Sequence, residues 1–364
     1  MKVLAVATYP VQAACTRLRI AQFLPLLHAH GVRVSLSPFL SGPAFARLYD
    51  RRRFLANAFS IAGALLRRLL QVPRLAFVDL LFVQREAMLV GPPLFEWLAR
   101  RVFRRPLVLD LDDATFLEQQ SPVYGRLASL LKWRGKTDQL IDYADVVICG
   151  SEQVAAHVRA RGKRAVLMPT IVDSELFRPL ADRDDTAVPV IGWVGSHSTW
   201  PYFERIVPVL ERLARTHRFR VRVVGAGRDA VTIAGVEVEN LRWDLDREVD
   251  DFRTLDVGVY PLPPDDPWVE GKSGLKAIEY LTVGVPYVAN PVGIVNAIGE
   301  PGRTHLVATT DDEWHDALSA LLRDPQLRRT MGAAGRSYAL THFRIDDFAA
   351  RIEAEIRDAA LPSR

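Results

Sequence analysis

Lys272-Ser273-Gly274-Leu275-Lys276-Ala277-Ile278-Glu279-Tyr280-Leu281-Thr282-Val283-Gly284-Val285-Pro286 is the stretch on which the reading of this sequence turns. Ser273 or Gly274 can start a helix, Gly284 can stop it, and Pro286 blocks its continuation before the apolar Tyr287-Val288-Ala289. Leu275, Ile278 and Thr282 share one face of that helix, whereas Lys276, Glu279 and Val283 share another. The first face is expected to pack and the second to bind. Unpaired N–H groups at a helix start, with lysine beside them, suit a diphosphate. Glu279, two turns in, is placed to accept hydrogen bonds from both hydroxyls of a ribose.

Outward from this helix, short apolar runs alternate with segments of helical period, the pattern of parallel sheets wrapped by helices. Strands are expected over 2–8, 32–38, 78–84, 107–111, 146–150 and 165–169, then over 188–194, 220–224, 236–241, 257–260, 287–289 and 305–308. The same α/β architecture thus occurs twice. A polar stretch without periodicity, 177–186, reads as the linker. The first domain is expected over 1–180 and the second over 186–345. A last helix, about 346–364, carries Phe348, Ile352 and Ile356 at four-residue spacing and is expected to pack back on the first domain.

A chain of 364 residues with 49% hydrophobic content is too long for one ordinary core, which agrees with two domains. Cys15 and Cys149 are the only cysteines and have no metal-type spacing, so free thiols in a reducing compartment are expected. Met1-Lys2-Val3-Leu4-Ala5-Val6-Ala7 reads as a buried strand rather than a secretion signal, and no run approaches the length of a membrane span. Charge divides unevenly: residues 1–180 hold 25 Lys and Arg against 14 Asp and Glu, and residues 181–364 hold 22 against 29. The basic half suits an anionic partner. Within it, 44–70 sets Arg51, Arg52, Arg53, Arg67 and Arg68 among Phe54, Leu55, Phe59, Ile61, Leu65 and Leu66. That segment reads either as a core helix with its arginines in water or as a helix docked at an anionic membrane surface. The basic run 100–105 reads the same two ways.

Four further segments bear on binding. Val190-Ile191-Gly192-Trp193-Val194-Gly195-Ser196-His197 is a strand followed by a glycine loop, where backbone amides can approach phosphate or sugar. Val223-Val224-Gly225-Ala226-Gly227, Asn240-Leu241-Arg242-Trp243 and Leu255-Asp256-Val257-Gly258-Val259-Tyr260-Pro261-Leu262 follow in order. Together with Glu279, Gly284 and Pro286, these segments resemble the donor domain of the family-4 retaining glycosyltransferases. Glu279 looks like the second glutamate of that family's Glu, seven residues, Glu signature. The resemblance implies the GT-B fold: two Rossmann-like, doubly wound domains facing across a cleft. It also implies a nucleoside-diphosphate sugar donor, contacted by Gly195, Ser196, Arg242, Trp243, Lys272, Ser273, Gly274, Leu275, Lys276 and Glu279. The signature's first glutamate would fall at Gly271; this chain has Glu270 one place earlier. The family's usual Arg and Lys after the glycine loop are missing from Ser198-Thr199-Trp200-Pro201-Tyr202, so Lys272 and Lys276 are expected to neutralise the diphosphate, with Arg17 or Arg19 as a second possibility.

In the first domain, 144–152 and 169–173 also resemble family landmarks. The loop Thr8-Tyr9-Pro10-Val11-Gln12-Ala13-Ala14-Cys15-Thr16-Arg17-Leu18-Arg19 follows the first strand, and Asp110-Leu111-Asp112-Asp113 ends a buried one. Loops at strand carboxyl ends face the binding site of such sheets. Spaced aspartates can hold a divalent metal, but the resemblance implies a leaving diphosphate stabilised by a helix dipole and cationic side chains, without metal. Asp112 and Asp113 are therefore expected to orient the acceptor or to cap the following helix. His197, directly after the glycine loop, is the histidine best placed for function; beside the transferred sugar, either Glu270 reaches in through a local shift or Lys272 and backbone take the place of the signature's first glutamate.

These readings converge on an enzyme that moves a sugar from a nucleoside-diphosphate sugar to a glycan, lipid-linked or small-molecule acceptor, with retention, no cofactor and no nucleic acid. A cytoplasmic location, peripheral to the inner membrane face, is expected. A nucleotide-sugar 2-epimerase and a non-catalytic GT-B protein that binds sugar nucleotide are the alternatives.

Overall fold

The computed structural model describes residues 1–48, 50–117, 133–181 and 187–361, with backbone alone for Arg51. The chain forms two compact units: Met1–Thr170 with Gly271–Ser273 and Asp346–Arg364, and Ile171–Glu270 with Gly274–Ile345. Ile171 to Arg178 groups with the second unit, where Phe177 packs on Phe252 and Arg336 Nη1 and Nη2 donate to the carbonyls of Phe177 and Ser174 at 2.9 Å each. Of the stretch read as linker, 182–186 lie outside the described residues, as do 362–364 of the last helix.

All twelve expected strands form. In the first unit β1 (Lys2–Ala7), β2 (Arg33–Pro38), β3 (Leu80–Gln84), β4 (Leu107–Leu111), β5 (Val146–Cys149) and β6 (Ala165–Leu167) pair in parallel in the order β2-β1-β3-β4-β5-β6. β3, β4 and β5 are buried at every position, as strands covered on both faces must be, and so read as unbroken apolar runs. The helix Ile345–Ala359 buries Phe348, Ile352 and Ile356, and it is tied down by Arg351 Nη2 donating to the Leu167 carbonyl at 2.8 Å and by Arg164 facing Glu355 at 2.9 Å.

The second unit repeats the plan with β7 (Val190–Val194), β8 (Arg220–Val224), β9 (Glu237–Leu241), β10 (Val257–Tyr260), β11 (Tyr287–Ala289) and β12 (Leu306–Val307), in the order β12-β11-β10-β7-β8-β9. Strand order reverses between β1 and β3 in one sheet and between β7 and β10 in the other. Ligands of open parallel sheets bind at the carboxyl ends beside such reversals.

Candidate active site

In the second unit, the carboxyl ends of β7, β8 and β9 are drawn together by glycines. The Gly195 amide donates to the Val224 carbonyl at 3.0 Å, and the Gly225 amide donates to Leu241 at 2.9 Å. A Cβ on Gly195 would lie 2.2 Å from the Trp193 indole, itself locked in an aromatic cluster with Trp200 and Phe203. Gly225, at φ 81°, would place a Cβ 2.4 Å from the Gly195 carbonyl oxygen and 3.4 Å from the Trp243 Cβ. A Cβ on Gly227 would come 2.9 Å from the His197 Cβ. These contacts bring Gly195, Ser196, His197 and Trp243 to one corner of bare backbone. His197 and Arg242 are exposed there, and the Arg242 carbonyl accepts from Arg247 Nη2 at 2.5 Å.

The helix Leu275–Thr282 lies against β10. Its Tyr280 hydroxyl donates to the carbonyls of Gly192 at 3.1 Å and Val259 at 3.3 Å, and Gly258 leaves room for the Tyr280 ring, which a Cβ would approach to 2.5 Å. Gly274 caps the start at φ 70° beside Ile294 and Ile298, and among the described residues no side chain caps the helix there by a hydrogen bond. Gly284, at φ 69°, ends the helix, and the Val285 amide returns to the Tyr280 carbonyl at 2.9 Å. The expectation of one packed and one open face needs correction: Ala277, Ile278, Glu279, Tyr280, Leu281 and Thr282 are all buried, as is Val283. Glu279 is 0% exposed, with Oε2 2.8 Å from Lys276 Nζ. Lys276 also lies 4.9 Å over the Phe252 ring. Its charge serves Glu279 first, because a buried carboxylate needs a partner.

In the first unit the loops after β1, β3, β4 and β5 gather a charged cluster. Arg85 follows β3 in the left-handed region at φ 61°, and its guanidinium donates to Asp112 from Nε at 2.6 Å and Nη2 at 2.7 Å, and to Asp113 from Nη2 at 2.7 Å. Burial disfavours the Asp112 carboxylate, but Arg85 outweighs it and holds the pKa below the ordinary value. Asp113, about a quarter exposed, is pushed up by burial and then by the Asp112 charge, with Arg85 and Lys272 opposing. Burial pushes the neighbouring Cys15 thiol up to about 11, which leaves it protonated and unreactive at neutral pH. Arg19 takes a different place from the one expected. It is buried, it makes a bidentate pair with Asp110, and its Nη1 donates to the Met168 carbonyl at 2.6 Å. Burial pulls the Arg19 pKa down and Asp110 more than restores it. Arg17, half-buried, donates to the Gln12 carbonyl at 3.3 Å.

Residues 188–324 match a family model described as glycosyl transferases group 1. No curated protein matches the chain in sequence. Among solved structures it is similar to a sucrose-phosphate synthase from Thermosynechococcus elongatus, with TM-score 0.70 and 16% identity over 98% of this chain and 99% of that one. It is also similar to a glycosyltransferase from Rickettsia africae, with TM-score 0.71 and 13% identity over 100% and 99%. A third is Anabaena HepE in complex with UDP-glucose, with TM-score 0.62 and 16% identity over 99% and 100%. The fold is GT-B.

The glycosyl transferase match spans Gly195, Ser196, His197, Arg242, Trp243, Glu270 and the whole helix that carries Glu279. Backbone crowding explains where this GT-B chain departs from the signature. Gly271 belongs to the first unit, where its carbonyl accepts from Ser151 Oγ at 3.2 Å. A Cβ there would lie 2.3 Å from the Ala114 Cβ and 2.7 Å from Gln153 Oε1, so no glutamate fits. Glu270 ends the short helix Pro267–Glu270 with its side chain exposed. Lys272, two residues along, opposes the upward push that burial and Asp112 give the Asp113 pKa.

Arg85 is the residue that sequence reasoning missed. Gln84-Arg85 stands at the carboxyl end of a buried apolar run, the same position that singled out Asp110 to Asp113, and that signal was available. Gln84 donates to Asp112 as well, at 3.4 Å.

Proposed function

We propose that this chain is a family-4 type glycosyltransferase that transfers a sugar, with retention and without a metal, from a nucleoside-diphosphate sugar to an acceptor hydroxyl. The observation that carries this reading is the buried Glu279 carboxylate, held by Lys276 at 2.8 Å on a helix whose start is bare at Gly274. Ribose hydroxyls donate to Glu279 and the amides of Gly274 and Leu275 meet the diphosphate, while Gly195 and Ser196, whose own amides are held by the Val224 carbonyl and by Thr199 Oγ1, leave bare backbone for it to approach. Arg242 and Trp243 meet the base, and Lys272 adds the positive charge that Lys276 and Arg19 direct elsewhere. HepE is in complex with UDP and with UDP-glucose, and an Escherichia coli protein of the same fold is bound with UDP-2-fluoro glucose, which supports this donor class.

Asp112 and Asp113 are both paired with Arg85. In this reading Asp113, with its raised pKa, accepts the hydrogen bond of the incoming acceptor hydroxyl, and Arg85 and Asp112 fix its position. His197 and Glu270 contact the transferred sugar. The departing diphosphate is stabilised by backbone N–H groups and Lys272, and no side chain is assigned as a covalent nucleophile.

The test is calorimetric titration of the chain with UDP-, GDP- and ADP-sugars. One donor class is expected to bind, and Glu279→Gln should weaken it by about 10- to 100-fold, the effect of losing charged hydrogen bonds to two hydroxyls. Equal affinity in Glu279→Gln would refute the assignment. The anomeric configuration of the product, read by NMR, tests retention.

A further inference from the structure

The helix Phe54–Leu70 is turned inside out. An ordinary surface helix buries its apolar stripe; this one buries Asn57, Ala64 and Arg68. Leu55, Phe59, Leu66 and Leu70, at helical spacing on the opposite side, are exposed to 70%, 77%, 60% and 71%. The polar residues fix this rotation. Arg68 donates from Nε to the Ala87 carbonyl at 3.0 Å, from Nη1 to Gln71 Oε1 at 2.8 Å and from Nη2 to the Ser37 carbonyl at 2.9 Å, and it lies over the Phe95 ring. Asn57 Nδ2 donates to the carbonyls of Arg47 and Leu48 at 3.0 and 3.3 Å. With those groups held inward, only Ile61 and Leu65 reach the core from the flank, and Leu55, Phe59, Leu66 and Leu70 face out. The turn that follows, Val72–Phe77, packs beside the helix and adds an exposed Phe77.

The surroundings of this face are cationic. Residues 47–77 contain Arg47, Arg51, Arg52, Arg53, Arg67, Arg68 and Arg74 against Asp50 alone. Arg52, Arg53, Arg67 and Arg74 are exposed, Arg53 facing Asp50 at 3.5 Å and Arg67 donating to the carbonyls of Pro38 and Phe39 at 2.7 and 2.5 Å. In the other basic run Arg100 pairs with Asp145 at 2.6 Å and Arg105 donates to the carbonyls of Leu75 and Ala76 at 2.9 Å each, while Arg101 and Arg104 are exposed. We propose that the outward face of Phe54–Leu70, with Phe77, seats this protein on an anionic lipid bilayer, its leucines and phenylalanines in the acyl boundary and its arginines at the headgroups. At 17 residues the helix is short of a span, and among the described residues no helix is long and apolar enough to cross a membrane, so it lies in the interface plane. A second copy of the chain fits less well, because a two-fold contact through this face would set arginines against arginines. The inference rests on this face alone and not on the donor chemistry.

Flotation of the full chain with vesicles of phosphatidylcholine, alone or with about one third phosphatidylglycerol, tests it. Capture by the anionic vesicles only, lost at high salt, is expected. The double variant F59E/L66E should lower the bound fraction about tenfold or more, and Arg52→Gln with Arg74→Gln should also lower it. Both variants should keep the wild-type melting temperature, since the altered side chains are exposed. Equal capture of wild type and F59E/L66E would overturn the proposal. So would a lipid-free dimer, seen by analytical ultracentrifugation, that F59E/L66E dissociates.

Discussion

Arg85→Ala separates a structural from an incidental role for the cluster after β3 and β4. The substitution leaves the φ of 61° in place, so the backbone strain of a non-glycine residue there is common to both proteins and cancels. What changes is the partner of Asp112, whose side chain is 7% exposed, and of Asp113, at 24%. Removing one member of a buried ion pair costs about 3–5 kcal/mol, and the partial exposure of Arg85 at 22% places this one near 3. For a unit of this size that is a fall of about 6–12 °C in melting temperature at pH 8. The pH dependence is the sharper test. In the wild type Asp112 has its pKa below the ordinary 3.8, so its contribution is complete above pH 3.8 and is lost only as pH falls through the lower folded value. Without Arg85, Arg19, a backbone hydrogen bond and Gln84 still favour the carboxylate, but burial is the largest influence left and is expected to raise the folded pKa above the unfolded one. Protonation then favours the folded variant, and the gap between the two proteins should narrow as pH drops from 8 to 4. Circular dichroism melts across that range measure it, and Arg85→Ala with Asp112→Asn should recover most of the loss at pH 8. A gap constant with pH, or a melting temperature within a degree of wild type, would refute the argument.

Gly271→Ala should destabilise by about 1–3 kcal/mol through the 2.3 Å approach to Ala114, with partial rescue by Ala114→Gly; additive effects in that double-mutant cycle would contradict the contact. His305 stacks on Tyr287 at 4.8 Å, its Nε2 has no hydrogen-bond partner among the described residues, and burial pulls its pKa down to about 4. Its folded value lies below the unfolded 6.5, so stability is full above pH 6.5 and about 2 kcal/mol is lost between pH 6.5 and 5. His305→Phe should flatten that slope in urea titrations, and parallel slopes would exclude His305 as the cause. Lys276→Met should raise the donor Kd about tenfold by calorimetry, since it leaves the Glu279 carboxylate without its cation. Retained affinity would mean that Lys276 does not set the carboxylate's state.

The strands were legible because burial on both faces demands unbroken apolar runs, and 107–111 and 146–149 could hardly be read otherwise. The helix with Glu279 was legible from its punctuation: Gly274 and Gly284 adopt the left-handed conformations their positions require. What the helix buries was not. Periodicity separates faces but does not count neighbours, and Phe252 closes on the supposedly open side from another part of the chain. Arg19 was misplaced for a related reason. A guanidinium two residues from another looks like half of a phosphate clamp, and only the pairing of β4 with its neighbours puts Asp110 beneath it.

The helix Phe54–Leu70 shows where such reading stops. A hydrophobic stripe in a sequence has a direction but no sign: it marks a face without saying whether protein, lipid or another chain covers it. The usual sign, inward, follows when nothing polar on the other face can be satisfied inside. Here that condition fails, because the carbonyls of Ser37 and Ala87 and the side chain of Gln71 present acceptors just where Arg68 arrives. A buried guanidinium supplied with such acceptors and an aromatic ring is held firmly, and burial lowers its pKa only to about 10, so it stays charged at neutral pH. The arginine thus fixes the rotation, and the apolar face is left pointing outward among exposed arginines.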